Sequence, residues 1–173
     1  TQNDGVFRIN KDFEVEAFKV EFVDQNIFSL NFSKNNELLV GTSNGLLVYK
    51  LTGKNRKPEL IKNTNTIPET KIQCIIKKNN SGSFWVGTED HGLFLLTPAT
   101  DSKFTSTPIG KNLAAEIVNV QDVYEDAQSN LWIATFGNGV IKLLLSPNTL
   151  IYTEYQRLSE DNGLGNKYTK TIY

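Results

Sequence analysis

Short apolar runs separated by polar turns recur along the chain. Residues 130–140, NLWIATFGNGV, form one apolar run that ends at Thr135, followed by an Asn-Gly step and a second apolar run. Runs of this length bounded by Gly, Asn and Ser predict β-strands, and the Asn-Gly step predicts a hairpin turn. Similar stretches, ELLVGTSNGLL and SFWVGTEDHGLF, begin at Glu37 and Ser83. The pattern therefore predicts three copies of one hairpin.

The copies recur with a nearly constant period. The Thr that closes the first run recurs after 46 and 47 residues, and the Gly that opens the second run recurs after 47 residues both times. These markers are Thr42, Thr88 and Thr135, and Gly45, Gly92 and Gly139. A fixed period of about 20 to 50 residues is typical of units that bury their faces only against their neighbours.

Each unit contains four predicted strands. They cover residues 27–32, 37–42, 45–50 and 59–62 in the first unit, 72–77, 83–88, 92–97 and 103–108 in the second, and 118–124, 130–135, 139–145 and 151–156 in the third. No segment of ten or more residues has a convincing helical period. Four strands in 46 to 47 residues predict an all-β fold of four-stranded antiparallel β-propeller blades.

The repeat register divides the chain into three complete blades and two partial ones. We predict the third and fourth strands of a preceding blade at 1–22, blades at 23–66, 67–113 and 114–160, and the entry loop and first strand of a further blade at 161–173. The chain begins and ends inside a repeat and contains no Met. We therefore expect a piece of a longer protein, with the remaining blades of the ring as its structural partners.

The second strand of each unit is predicted to be buried on both faces. Leu131, Trp132 and Ile133 are consecutive, which is typical of a strand sandwiched between two neighbours. We predict Trp85 and Trp132 as wedges between blades, with Leu39 in the corresponding place of the first unit. The residue two positions after each of these wedges is small, and leaves room for the adjacent blade, for example for an aromatic ring. These small residues are Gly41, Gly87 and Ala134.

Composition excludes several classes of partner. The 173 residues carry 18 Lys and Arg against 19 Asp and Glu, a net charge of -1, and the cations are scattered, so no nucleic-acid surface is expected. No apolar segment reaches the roughly 18 to 20 residues of a membrane span. The single cysteine, Cys74, lies in the apolar run IQCII, which predicts a buried, unreactive thiol.

The repeated motif resembles a known family. Residues 126–140, 79–93 and, more weakly, 33–46 resemble the two-component-regulator propeller repeat, whose consensus is D-x-x-G-x-L-W-I-G-T, a short turn and G-L. The end of the chain, NGLGNKYTKTIY, is similar to the entry of the next blade in that family. This chain departs from the pattern with Leu39 for Trp, Ala134 for Gly, and Asn79 and Ser33 for Asp.

The resemblance implies a location and a role. Such repeats, usually in rings of seven blades, occur in the periplasmic sensor regions of membrane-bound hybrid histidine kinases of Bacteroidetes that respond to polysaccharide breakdown products. The chain would then be a non-enzymatic sensor fragment, with an oligosaccharide as its possible ligand and the kinase outside this sequence.

The residues do not assemble a recognisable catalytic or metal site. His91 is the only histidine, so a zinc site lacks ligands, and no cofactor is implied. A sialidase-like propeller needs clustered arginines, whereas Arg8, Arg56 and Arg157 fall on different predicted elements. A lyase of the streptogramin type needs a site centred on histidine. A propeller enzyme, a lyase or a glycosidase, is therefore kept only as an alternative, and no catalytic residue is assigned.

Binding is predicted on one end of the blades. The loops between second and third strands, and those from one blade to the next, meet on the same face. Its candidate ligand-binding residues are Asn44, Glu89, Asp90, His91, Phe136 and Asn138. Phe136 suits stacking on a sugar or packing against a neighbouring turn, and Asn44, Asp90 and Asn138 are also turn formers.

Two further expectations concern proteins as partners. The same face could serve as a scaffold for a protein partner, as an alternative to sugar binding. In an incomplete ring the open blade faces are apolar, so we also expect self-association through them.

Overall fold

The structure, a computed structural model, describes residues 6–9, 11–18, 26–53, 57–61, 67–100, 103–146 and 152–173. Within these residues lie fourteen β-strands and two short 3₁₀ turns, at Lys111–Leu113 and Glu160–Asn162. No helix among the described residues has the length and apolarity to cross a membrane.

The strands form one two-stranded and three four-stranded antiparallel sheets. The two-stranded sheet pairs β1 (Val6–Ile9) with β2 (Val15–Phe18). The first blade contains β3 (Ile27–Phe32), β4 (Glu37–Thr42), β5 (Gly45–Thr52) and β6 (Lys57–Leu60). The second contains β7 (Ile72–Lys77), β8 (Phe84–Thr88), β9 (Leu93–Pro98) and β10 (Phe104–Ile109), and the third β11 (Val120–Glu125), β12 (Leu131–Thr135), β13 (Val140–Leu145) and β14 (Tyr152–Leu158).

Each four-stranded sheet is a meander in which consecutive strands pair. The prediction of an all-β fold built from four-stranded antiparallel blades is therefore confirmed. The predicted strands β3, β4 and β7 have the observed bounds, and the others differ by one or two residues at one or both ends, as the outer strand β6 does at 57–60 against a predicted 59–62.

The predicted first strand of a further blade, at 167–173, is wrong as a strand. Only one isolated bridge, between Phe136 and Tyr168, forms there, and residues 169–173 have no regular structure. The segment lies against β12 and β11, since the backbone N–H of Thr169 donates to the Thr135 carbonyl and that of Ile172 to Asp122 Oδ2, both at 3.1 Å. A β-strand needs a neighbour that supplies a continuous ladder of backbone hydrogen bonds, and no described strand pairs with this segment in that way.

Consecutive apolar residues of the second strand serve two different interfaces. In β8, Phe84 and Val86 pack with Leu39 and Val48 between the first and second blades. Trp85, which lies between these two residues in the sequence, is fully buried and packs with Leu131 and Ile133 between the second and third blades. Because side chains alternate along a strand, a fully apolar run fills the cores on both faces of the sheet.

The small residue of the second strand sits where the next blade approaches most closely. A Cβ added to Gly41 would lie 2.8 Å from Ile72 Cγ2, and one added to Gly87 would lie 2.6 Å from Val120 Cγ1. The side chains of the next blade that occupy this clearance are therefore the β-branched residues that open its first strand, and not aromatic rings. At Gly87 the Cys74 thiol of the same blade is equally close, since Sγ would lie 2.6 Å from the added Cβ. Ala134, at the same position of the third blade, is fully buried.

A buried carboxylate ties the second and third blades together. Glu125 Oε2 accepts hydrogen bonds from Trp85 Nε1 at 2.7 Å and from the backbone N–H of Asn79 at 3.0 Å. Its other oxygen lies 3.2 Å from Lys78 Nζ. The Glu125 side chain is 2% exposed, so these bonds form inside the interface. We did not predict this residue from the sequence.

Candidate functional site

The three turns between second and third strands share one device. The hydroxyls of Thr42, Thr88 and Thr135 donate to the carbonyls of Gly45, Gly92 and Gly139 at 2.9, 2.8 and 2.7 Å. The same hydroxyls accept the backbone N–H of Asn44, His91 and Asn138 at 3.2, 3.0 and 3.2 Å. The Thr that marks the period in sequence thus holds each turn, and presents the side chain of Asn44, His91 or Asn138 at the same end of its sheet.

The loop from the second blade to the third is fixed between two of these turns. The backbone N–H of Gly92 donates to the carbonyl of Val118 at 2.9 Å. From the other side, Asn138 Nδ2 donates to the carbonyls of Ala115 and Glu116 at 3.1 and 3.0 Å. The structure therefore brings the His91 turn and the Asn138 turn around one loop, whereas no described contact joins Asn44, exposed on the first blade, to them.

A cleft of about 190 Å³ opens between the His91 turn and this loop. Its lining combines apolar side chains with two charged residues and one imidazole. The lining residues are Asp90, His91, Gly92, Pro108, Ile109, Gly110, Lys111, Ala114, Ile117 and Val118. Ile109 and Ile117 are buried and form an apolar floor below the charged rim.

Asp90 anchors the imidazole of His91. Its Oδ1 lies 2.7 Å from His91 Nδ1 and also accepts a hydrogen bond from the hydroxyl of buried Thr70. The hydrogen bond from Thr70, followed by the one from His91, lowers the pKa of Asp90 below its ordinary value. The neighbouring Glu89 is exposed, and its carboxylate pairs with Lys71 Nζ at 3.2 Å.

Phe136 forms an aromatic pair with Tyr168. The ring centroids are 4.8 Å apart and the ring planes are inclined by 48°. The two side chains remain 59% and 51% exposed, and Lys167 Nζ lies 5.4 Å from the Tyr168 ring. The two rings thus pack against each other and still present a broad aromatic surface on the loop face. Tyr168 was not among the predicted site residues.

The two tryptophans sit in different surroundings. Trp85 is fully buried, but Trp132 is only partly buried and lies on the face of the third blade that points away from the second. Trp132 Nε1 donates to Asp126 Oδ2 at 3.0 Å, and Lys142 Nζ lies 4.6 Å from its ring. Desolvation raises the pKa of Asp126, but hydrogen bonds from Asn130, Trp132 and Gln128 together hold it below its ordinary value.

The groups considered for catalysis are dispersed. Arg8 lies on β1, Arg157 donates to the carbonyl of Asn138 at 3.2 Å, and Arg56 lies outside the described residues. Burial raises the pKa of the Cys74 thiol to about 12. Among the residues that the structure describes, no three His, Cys, Asp or Glu side chains come together as metal ligands would.

Comparison with known proteins gives matches over parts of the chain. The family described as two-component regulator propeller matches residues 116–137. A protein named histidine kinase P4, from Formosa agariphila, is 32% identical over 94 residues, which cover 52% of this chain and 7% of that protein. This chain therefore spans only a small part of the length of that relative.

Solved structures share the fold. The extracellular domain of the putative hybrid two-component system BT3049 from B. thetaiotaomicron gives a TM-score of 0.68 at 21% identity, covering 94% of this chain and 21% of that chain. The corresponding domain of BT4673 gives 0.63 at 19% identity, covering 86% and 21%. Virginiamycin B lyase from Staphylococcus aureus gives 0.64 at 13% identity, covering 92% and 50%. Residues 116–137 therefore match the two-component regulator propeller repeat, and the chain shares the fold of β-propeller blades with these solved structures.

Proposed function

We propose that this chain is part of the extracytoplasmic, periplasmic sensor propeller of a two-component signalling protein. In this proposal the loop face recognises a carbohydrate or another small ligand, and a kinase outside this chain receives the signal. The family match and the names of the relatives, a histidine kinase and the extracellular domains of hybrid two-component systems, support this role. The sensing step itself needs binding and no covalent chemistry.

The observation that carries the ligand-binding part is the exposed pair of Phe136 and Tyr168. Two aromatic side chains that are each more than half exposed occupy a turn and a segment after the last strand, outside the three core clusters. An aromatic ring presents a flat apolar surface, and the face of a pyranose ring that bears axial C–H groups is a complementary surface. Residues on loops held by a rigid scaffold are well placed for binding.

A binding screen tests the proposal. The 173-residue chain is screened against immobilised oligosaccharides, and positive compounds are titrated by calorimetry. We expect at least one soluble oligosaccharide to bind, and Phe136→Ala and Tyr168→Ala to weaken that binding, because each removes half of the aromatic surface.

The control is Phe13→Ala. Phe13 is 87% exposed in the connection between β1 and β2, so this variant removes an exposed ring from another part of the molecule. If no carbohydrate binds, or if the Phe13 variant loses as much affinity as the Phe136 variant, the proposed role of the aromatic pair is wrong. Capture of a protein on the loop face without any glycan would favour the scaffold alternative.

A further inference from the structure

The cleft beside His91 is a second polar feature of the loop face, separate from the aromatic pair. We propose that it is a subsite for one pyranose unit, in which His91 Nε2 accepts a hydrogen bond from a sugar hydroxyl. This inference rests on the proposed function and deepens it by committing to a sugar at this cleft and naming the accepting atom.

The protonation pattern of His91 follows from its partner. Asp90 Oδ1 accepts the Thr70 hydroxyl and lies 2.7 Å from His91 Nδ1. The lowered pKa of Asp90 keeps its carboxylate ionised, and an ionised carboxylate only accepts hydrogen bonds. Nδ1 must therefore carry the proton. In a neutral imidazole this leaves Nε2 as an acceptor with a free lone pair.

The ring is held in place before any ligand arrives. The backbone N–H of His91 donates to the Thr88 hydroxyl at 3.0 Å, and the Thr88 hydroxyl donates to the Gly92 carbonyl at 2.8 Å. These bonds hold the backbone of the turn at His91 and Gly92, and the contact with Asp90 orients the imidazole ring. An ordered acceptor loses little conformational entropy on binding.

The cleft has the chemical composition that a sugar requires. Its apolar floor, Ile109 and Ile117, suits the C–H face of a pyranose, and Lys111 on the rim supplies an ammonium that donates to hydroxyl or ring oxygens. Gly92 and Gly110 let Ile117 pack closely against the walls of the cleft. A Cβ at Gly110 would lie 2.8 Å from Ile117 Cδ1, and one at Gly92 3.1 Å from the Ile117 carbonyl oxygen.

The other two described turns do not offer this acceptor. The third blade has Asn138 at the position of His91, and its amide is bound to the carbonyls of Ala115 and Glu116. The first blade has Asn44 there, exposed on its turn. Among these three blades, only the second places an imidazole nitrogen beside a cleft. His91 therefore departs from the Asn that the repeat has at this turn position in the other two blades.

The tautomer is measured without any ligand. His91 is the only histidine of the chain, so nitrogen NMR of labelled protein contains one pair of imidazole resonances. We expect the neutral ring to be protonated at Nδ1 and unprotonated at Nε2, and Asp90→Asn to shift this population, because an amide can donate as well as accept. A neutral ring protonated mainly at Nε2 would overturn the inference.

Binding is probed with a panel of methyl glycosides of glucose, galactose, mannose and xylose, with cyclohexanol as an apolar ring bearing one hydroxyl. We expect at least one glycoside to shift the His91 Nε2 resonance and the amide resonances of Gly92 and Gly110. His91→Asn should weaken its binding about five- to tenfold, the equivalent of one hydrogen bond. Asn occupies the same turn position in the other two blades, so this variant keeps the fold.

Matched lysine variants complete the test. Lys111→Ala should weaken glycoside binding, and Lys103→Ala, which removes the same charge from the opposite end of the second blade, should not. If glycans bind through Phe136 and Tyr168 while the His91 resonances and the His91→Asn affinity stay unchanged, the subsite is refuted and the proposed function stands. If neither glycosides nor oligosaccharides bind anywhere, both proposals fail.

Discussion

Replacement of Glu125 tests what holds neighbouring blades together. In the structure its carboxylate is the common acceptor for Trp85 Nε1, the Asn79 backbone N–H and Lys78 Nζ. Glu125→Ala removes this acceptor and leaves the buried indole N–H of Trp85 and the partly buried N–H of Asn79 without it. Glu125→Gln keeps the size of the side chain and one acceptor oxygen, but removes the charge.

The expected loss follows from the burial of each donor. An unsatisfied buried N–H costs about 1 to 3 kcal/mol, and removing one partner of a buried charge pair costs about 3 to 5 kcal/mol. Lys78 is 24% exposed and can turn to water, so the lower figures apply. We expect Glu125→Ala to lower the free energy of unfolding by about 3 kcal/mol and Glu125→Gln by about 1 to 2 kcal/mol.

Urea unfolding followed by tryptophan fluorescence measures the difference. With a dependence of about 1 to 3 kcal/mol per molar urea, a loss of about 3 kcal/mol moves the midpoint by roughly 1 M or more. The control is Glu89→Ala, which breaks the pair with Lys71 at the same 3.2 Å distance, but with a glutamate that is 49% exposed. Such an exposed pair contributes about 0 to 1 kcal/mol.

The comparison has a clear refuting result. If Glu125→Ala and Glu89→Ala shift the midpoint equally, the buried bonds between blades do not stabilise the chain as argued. A double-mutant cycle with Trp85→Phe should give a coupling energy of about 0.5 to 3 kcal/mol, because the two side chains share one hydrogen bond. Unfolding in two steps in Glu125→Ala would indicate that the third blade has been uncoupled from the second.

Four other predictions use different parts of the fold. Gly87→Ala should destabilise the chain by about 1 to 3 kcal/mol in urea, because its Cβ would overlap the next blade, whereas Ala134→Gly should cost no more than about 1 kcal/mol. Cys74, buried and with its pKa raised to about 12, should react with iodoacetamide only on unfolding, so fast labelling of the native chain would contradict its placement. Because the pKa of Asp126 is lower in the folded chain than its ordinary value of 3.8, its ionised carboxylate should stabilise the fold at pH values above 3.8. This stabilisation should disappear as the pH falls through the lower pKa of the folded state. Asp126→Asn should therefore show a flatter pH profile of thermal unfolding between neutral pH and pH 3. Self-association through the open blade faces, where Tyr124 is 44% exposed, should appear in light scattering at micromolar concentration, and a stable monomer would refute it.

The repeat could be found in the sequence because its causes are local. A hairpin turn needs Gly or Asn where the backbone takes positive φ, and Gly45, Gly92 and Gly139 have φ values of 126°, 77° and 75°. A strand that is buried on both faces needs an uninterrupted apolar run, as in residues 84–86. Both requirements act on neighbouring residues, so the period, the four strands per blade and the position of Trp85 follow from the order of residue types.

The outer strands and the end of the chain were harder to place from sequence. The fourth strand of each blade lies at an edge and has a weaker apolar pattern, which allows its ends to shift by one or two residues, as in β6 and β14. For residues 167–173, the sequence pattern contained a strand that the structure lacks, because a strand is defined by a partner and not by its own residues alone.

The candidate site depends on contacts between residues that are far apart in the chain. The pairing of Phe136 with Tyr168, the relay from Thr70 through Asp90 to His91, and the anchoring of the 110–118 loop by Asn138 each join different blades or loops. Sequence alone determined the architecture, since strand, turn and burial patterns are set by short-range chemistry. Only the tertiary structure decided which polar groups meet, because the packing of one blade on the next brings together side chains that no local pattern relates.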